Sequence, residues 1–278
     1  MKITIIGNGY VGGATKLAFK RSEVEGLTNN DFISEIFVYD KASEKSECSL
    51  EDALKGDLFF VCVPTPMKSD GSCDLSIVES VMRLLLSNGI PSLNIVLRST
   101  VPVGTCDGFE VNFMPEFLTE TNWREDIRNT RDWIIGTPEL APNLKTILPK
   151  ILKGNLHFCL NKEAELAKYT RNCFLATKVS FFNEINNFCE EKNIEYQRIK
   201  ELVILDSRIN ASHTCVPGPD GKKGFGGTCF PKDMHSLSFQ MRSAVVTPHL
   251  IKAAIERNEI VDRPEKDWNE NRGRAVSD

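Results

Sequence analysis

The stretch Gly224-Phe225-Gly226-Gly227-Thr228-Cys229-Phe230-Pro231-Lys232-Asp233 concentrates more chemistry than any other in the chain. Pro231 suits the first turn of a helix, so Cys229 stands just ahead of a helix N-terminus with Lys232 beside it. A helix dipole and an ammonium both favour thiolate over thiol, and the preceding glycines leave one face of the sulfur open. That is the setting of a nucleophile. The plain alternative, a buried thiol acting as a small hydrophobe, asks for apolar neighbours and no open approach.

A second constellation opens the chain. Gly7-Asn8-Gly9-Tyr10-Val11-Gly12 follows the β-branched run at 2–6 and leads into a helical pattern, the context in which a G-x-G-x-x-G loop binds a dinucleotide. Gly7 permits the tight turn, Gly9 leaves room for a phosphate, and Gly12 lets helix pack on strand. The helix start at Tyr10 and Val11 offers amide donors to a pyrophosphate. Asp40 ends the next strand, where a carboxylate accepts both ribose hydroxyls and repels a 2′-phosphate, which favours NAD over NADP. Its separation from Gly12 (40 − 12 = 28) exceeds the usual spacing of about 20, so an insertion around Val24 to Asp31 is expected to loop out. Without a cofactor the glycines would be a simple turn and Asp40 a strand-ending residue. Thr65 lies in Pro64-Thr65-Pro66 at the sheet edge where ligands bind in such folds, though two prolines also make a rigid turn.

The elements that must position these groups fall into two halves. Strands at 2–6, 36–39, 58–63 and 95–97 alternate with helical patterns near 10–21 and 75–86. Further strands at 110–113 and 133–135 and a helix at 140–152 complete the first half. The class is α/β: a Rossmann-type doubly wound parallel sheet over 1–160. After Asn161, which can cap a helix, apolar residues recur every three or four positions from Leu166 to Cys189, giving one long amphipathic helix. Shorter helices are expected at 196–203, 233–241 and 248–261, making 161–262 an all-α second domain. The loop 210–230 is too long for a connector and reads as functional. Residues 263–278 read as a polar tail.

Composition narrows the partners. A net charge of −4 without a long basic run excludes nucleic acid as an expected partner. No apolar stretch approaches the roughly 18 residues of a membrane span, and MKITIIG lacks a basic leader region, so a cytoplasmic protein is expected. Nine cysteines without a C-x-x-C pair and four histidines without ligand spacing argue against a disulfide framework and against a metal.

Taken together, these motifs resemble the UDP-glucose/GDP-mannose dehydrogenase family. The resemblance rests on 224–233 and, in the family's order, on the N-terminal glycine loop, Val63-Pro64-Thr65-Pro66, Ser99-Thr100-Val101-Pro102, Pro115-Glu116-Phe117-Leu118-Thr119-Glu120, Lys168 with Asn172, and Asp206-Ser207-Arg208-Ile209. It implies an NAD-dependent four-electron oxidation of a nucleotide-sugar C6 alcohol to the uronate, through a thiohemiacetal and a thioester on a cysteine that Cys229 matches. By the same resemblance Lys168 and Asn172, four apart on one helix face, would stabilise an oxyanion. Glu116 would serve thioester hydrolysis, with Glu120, Thr100 and Asp233 near the cofactor or the reactive water. Lys232 would reach NAD. Phe117, Leu118, Glu120, Lys168, Phe225 and Gly226 would line the substrate, and Arg208 would extend into the neighbouring subunit of a homodimer built through the central helices.

Family members continue into a second nucleotide-binding domain that grips the substrate's nucleotide. Here the residues after 262 read only as a tail, which leaves loop 210–223 as a substitute, with His213, Lys222 and Lys223 as candidates beside the plainer reading of a solvated loop. UDP-glucose is the first substrate to consider, and GDP-mannose or a UDP-N-acetylhexosamine the near alternatives. A two-electron hydroxy-acid dehydrogenase would be a rival enzyme, and an inactive NAD-binding partner of a full-length enzyme the reading from another class.

Overall fold

A computed structural model describes residues 1–24, 32–138 and 142–277 of the chain. The insertion expected around Val24 to Asp31 lies, beyond Val24, outside the described residues. The chain divides into two compact units, Met1–Thr65 with Leu75–Lys168, and Pro66–Asp74 with Tyr169–Asp278.

The first unit is built from β1 (Lys2–Ile6), α1 (Tyr10–Val24), β2 (Glu35–Tyr39), α2 (Leu50–Ala53), β3 (Leu58–Val61), α3 (Ser76–Ser87), β4 (Ile95–Leu97), α4 (Thr105–Phe109), β5 (Asn112–Phe113), α5 (Trp123–Asn129), β6 (Asp132–Thr137), α6 (Pro142–Ile151) and β7 (Asn155–Leu160). The described strands form one sheet in the order β2-β1-β3-β4-β5-β6-β7. Strand side chains alternate between two buried faces. Ile3, Ile5, Leu58 and Phe60 join one apolar cluster with α1 and α6, while Ile6, Phe59 and Val61 join another with α3. Each such side chain, fully buried, contributes about 1.5–3 kcal/mol.

Two expectations need correction. The sheet is not wholly parallel, because β5 and β6 run antiparallel, meeting at the single pair Phe113↔Gly136. The strand β7 was not anticipated. It pairs parallel to β6 at the sheet's edge, with most of its residues half-buried or exposed, so its sequence carries no strong apolar signal.

In the second unit α7 (Asn161–Lys192, whose first turns belong to the first unit) is followed by α8 (Tyr196–Val203), α9 (Phe230–Ser243), α10 (His249–Arg257) and a π-helical turn at Asn258–Asp262. Its core joins Tyr169, Cys173 and Ala176 of α7 to Phe225, Met234, Leu237 and Ala254. Asn161 does not cap α7. Its Nδ2 donates instead to Asp107 (2.9 Å) and the Val111 carbonyl (2.9 Å), while Glu163 reaches back from the first turn to accept from the amide of Leu160, the residue before the helix (2.8 Å).

Nor is 263–277 a tail. Arg263, Trp268 and Ala275 are buried. The Met67 amide donates to the Ala275 carbonyl (2.9 Å) and the Ser277 amide to the Met67 carbonyl (2.8 Å), so the segment lies along the 66–74 hairpin as a short added strand. Its charged residues hid this packing, because Arg263 is buried by pairing with Asp267 and Asp220.

Candidate active site

In the first unit the glycine loop has the geometry its sequence asks for. Gly7 has φ +93°, and a Cβ there would stand 2.5 Å from the Cys62 carbonyl oxygen. A Cβ on Gly12 would overlap the Gly7 carbonyl, whereas one on Gly9 would meet nothing within 4 Å. So Gly12 serves packing, and Gly9 leaves the exposed space a phosphate needs. Asp40 sits at the end of β2 with its oxygens accepting from the Asn8 amide (2.7 Å) and the Ala42 amide (2.9 Å). These bonds aim the carboxylate and leave it lone pairs for ribose hydroxyls. The loop and Asp40 therefore fit a dinucleotide.

Thr65 is buried and donates to the Thr100 carbonyl (2.7 Å), while Ser99 donates to the Val63 carbonyl (2.6 Å). These bonds tie the segments after β3 and β4 together. Beneath them lies Arg98, which sequence reasoning passed over although a charge interrupting an apolar strand end is a signal. It is 1% exposed, donates to Thr15 Oγ1 (2.9 Å) and lies 5.9 Å from the centre of the Trp133 ring. Burial pulls its pKa down.

Glu116 is fully enclosed. Lys168 Nζ donates to its Oε1 (2.9 Å) and to its own carbonyl (2.7 Å), and the Leu118 amide donates to Oε2 (2.7 Å). Burial alone would raise the carboxyl's pKa. The Lys168 ammonium, the Leu118 amide and the Arg98 charge outweigh it and hold the group below the usual glutamate range. Phe117 places its ring centre 5.5 Å from Lys168 Nζ. Glu120 is exposed in the turn before α5 and is not part of this pair.

In the second unit Cys229 occupies the residue before α9, with Pro231 in the helix's first turn. It is partly exposed, whereas Cys62, Cys106, Cys173 and Cys189 are buried. Asp233, 1% exposed, accepts from Lys232 Nζ (2.6 Å) and from Asn172 Nδ2 (2.6 Å). Burial opposes the Lys232 charge, but Asp233 and the thiols of Cys229 and Cys73 prevail and push its pKa above the ordinary lysine value. Lys168 and Asn172, one turn apart on α7, were expected to converge on one oxygen. Instead each donates to a carboxylate of its own.

Two further expectations change. The Phe225 ring is buried in the helical core, so it offers a substrate its backbone at most. Lys222 is paired with Asp267 (2.7 Å) and Lys223 with Glu190 (2.8 Å), so neither stands ready for a phosphate. Arg208 is exposed and held by Asp206, and His213 is bonded to Ser212 (2.5 Å).

A glycine loop at the edge of a doubly wound sheet, joined in sequence to a helical unit with a partly exposed cysteine at a helix start, defines a dinucleotide-dependent dehydrogenase. Comparison with known proteins narrows this. Residues 38–153 match the NAD binding domain, and residues 162–260 the central domain, of the UDP-glucose/GDP-mannose dehydrogenase family. The chain belongs to that family, whose members use NAD in the domain matched here. It is 30% identical to the UDP-glucose 6-dehydrogenase TuaD of Bacillus subtilis, over 99% of this chain and 68% of that protein. Among solved structures, a UDP-glucose dehydrogenase from Pyrobaculum islandicum superposes with a TM-score of 0.76 at 26% identity, over 93% of this chain and 68% of that one. A UDP-D-ManNAc dehydrogenase from Pyrococcus horikoshii also gives 0.76, at 23% identity and the same coverage, and shows the shared fold alone. No helix among the described residues is long and apolar enough to cross a membrane.

Proposed function

We propose that the protein oxidises the C6 alcohol of UDP-glucose to the carboxylate in two steps, with Cys229 as the nucleophile between them. The observation that carries this reading is the setting of Cys229: partly exposed at a helix start, in the turn that also carries Lys232 and Asp233, the latter bonded to Lys232 and to Asn172. The glycine loop and Asp40 would hold NAD, which would supply the hydride acceptor for both oxidations.

The chain's own residues do the rest. Lys168 and Asn172 each carry more N–H donors than their bonds to Glu116 and Asp233 use, and with substrate bound they would donate to the oxygen at C6 as it gives its proton to water and becomes an alkoxide and, later, when it is a tetrahedral oxyanion. An aldehyde holds its hydride until a nucleophile makes the carbon tetrahedral, so the Cys229 thiolate adds to C6 and forms a thiohemiacetal. After the second oxidation the carbon is a thioester. Glu116, kept ionised by its neighbours, takes a proton from the attacking water as the C–S bond breaks and the thiolate leaves. Asp40, Thr65, Thr100 and Lys232 are assigned to cofactor contacts. Glu120, Phe117, Leu118 and the backbone at Phe225 and Gly226 are assigned to the sugar.

The same reading makes the protein a homodimer through α7. Phe174, Phe181 and Phe188 are exposed by 65%, 57% and 57% at seven-residue intervals, which aligns them as an apolar stripe on one helix face. A two-fold copy of that face would cover it, and Arg208, exposed but paired with Asp206, would have to leave that carboxylate to reach across. Nine free thiols suit a reducing cytoplasm.

The test is stoichiometry. Purified protein given UDP-glucose should form two NADH per uronate, and Cys229→Ser should stop short of the acid. One NADH per substrate with Cys229→Ser still turning over would mean a two-electron enzyme. Preference for GDP-mannose or a UDP-N-acetylhexosamine would change the sugar and leave the chemistry.

A further inference from the structure

The loop that carries Cys229 is gripped from behind by two residues that no motif marked. The Asn258 side chain, fully buried, accepts from the Phe225 amide (2.8 Å) and donates to the Phe225 carbonyl (2.9 Å), which fixes the peptide groups on both sides of that residue. Arg263, 3% exposed, lies against the next residue: a Cβ on Gly226 would stand 2.7 Å from its Nε and overlap its Cζ. The guanidinium is itself held flat by Asp267, through Nε (2.7 Å) and Nη2 (2.7 Å), and by Asp220 (2.6 Å).

What allows two residues five apart to grip adjacent residues is the π-helical turn. In an α-helix of about 3.6 residues per turn, residue i+5 points well away from residue i. Here the Arg263 amide donates to the Asn258 carbonyl (2.7 Å), an i+5 to i bond that brings the two into line. Single π turns inside helices cost hydrogen-bond geometry and concentrate at functional sites. This one ends α10 and faces Gly224, whose left-handed φ of +69° and missing Cβ make room for Asn258 and Asp262.

We propose that Asn258 and Arg263, aligned by the π turn, are positioning residues that set where the Cys229 sulfur stands for its attack on the substrate. The loop from Gly224 to Thr228 is glycine-rich; α7 holds its first residue, through Asn183 on the Gly224 amide (3.1 Å), and the helical core takes the Phe225 ring, so the clamp is what fixes the backbone from Phe225 to Gly226 on its short path to Cys229. A misplacement of about 1 Å at a reacting atom can cost roughly a hundredfold in rate. The inference rests on Cys229 being the nucleophile, and the test keeps the two apart.

The variants are Asn258→Ala, Asn258→Asp, Arg263→Lys and Gly226→Ala in the full chain, each read in three ways. These are kcat and KM with UDP-glucose and NAD, the rate of Cys229 alkylation by iodoacetamide against that of Cys215, and melting temperature. Expected are a kcat lower by about a hundredfold in Asn258→Ala and Gly226→Ala, an unchanged KM for NAD, and an altered alkylation rate at Cys229 alone. Asn258→Asp keeps the acceptor and should fall between. Arg263→Lys keeps the charge but loses the flat face, so it should not rescue. Folded variants with wild-type kcat and wild-type Cys229 alkylation would overturn the proposal, even if they melt earlier. Should Asn258→Ala fail to fold, Arg263→Lys and Gly226→Ala decide by the same measures. If the wild type oxidises no nucleotide sugar, the function reading fails, and the alkylation rates still decide whether the clamp positions the sulfur.

Discussion

Glu116 and Lys168 form an ion pair with both side chains less than 5% exposed, and removing one partner from such a pair leaves a buried charge at a cost of about 3–5 kcal/mol. Lys168→Met should therefore lower the melting temperature by several degrees, and Glu116→Gln, which keeps the shape, by less. The pair also sets an acid limit. Because the folded carboxyl titrates below the unfolded one, the unfolded chain binds more protons in the window beneath the ordinary glutamate value of 4.5. The stability Glu116 contributes is complete above that value and is lost as pH falls through the lower, folded pKa. Melting curves from pH 6 downward should converge for wild type and Glu116→Gln, and parallel curves would refute the assignment. Thiol chemistry gives a second check. Burial pushes Cys62 up to about 11 and raises Cys106 and Cys173 as well, so mass spectrometry after brief alkylation at neutral pH should find Cys215 and Cys229 labelled and these three intact. That Cys229 and Lys232 stand at a helix start was legible in the sequence because a helix start is a local signal, whereas Asp233 was reached only through the resemblance. Asn258 was not, since its partner lies 33 residues away and nothing near it in the chain announces the contact.

At the scale of elements, the glycine loop separates two roles that look alike in the motif. Gly9→Ala meets open space and should fold normally while losing NAD affinity, readable by calorimetric titration. Gly12→Ala must displace the Gly7 carbonyl and should cost stability, about 1–3 kcal/mol for an overpacked site. Equal behaviour of the two would remove the phosphate role from Gly9. On α7, Phe181→Glu places a charge in the middle of the exposed stripe and should convert the proposed dimer to a monomer in light scattering, with the fold kept because the ring is 57% exposed and loses only its edge contact with Phe182. The parallel strands were legible because both their faces are apolar. The antiparallel meeting of β5 and β6 was not, since a two-residue strand has too few positions to show a period, and β7 was lost to the weak patterning of a sheet edge.

At the scale of the whole molecule, the family and its cofactor were readable from motif order, whereas the fate of 263–277 was not, because charge composition alone does not reveal salt bridges that bury it. The second unit is also discontinuous: the 66–74 hairpin belongs with the helices that begin a hundred residues later. Ser277 Oγ donates to Asp74 across 203 positions of sequence. During synthesis at about 5–20 residues per second, the hairpin must wait roughly ten to forty seconds for its last neighbour to be made. For that interval the Met67 N–H and C=O that later pair with Ala275 and Ser277 are uncovered on the ribosome, a small open edge to which a strand of another nascent chain could add.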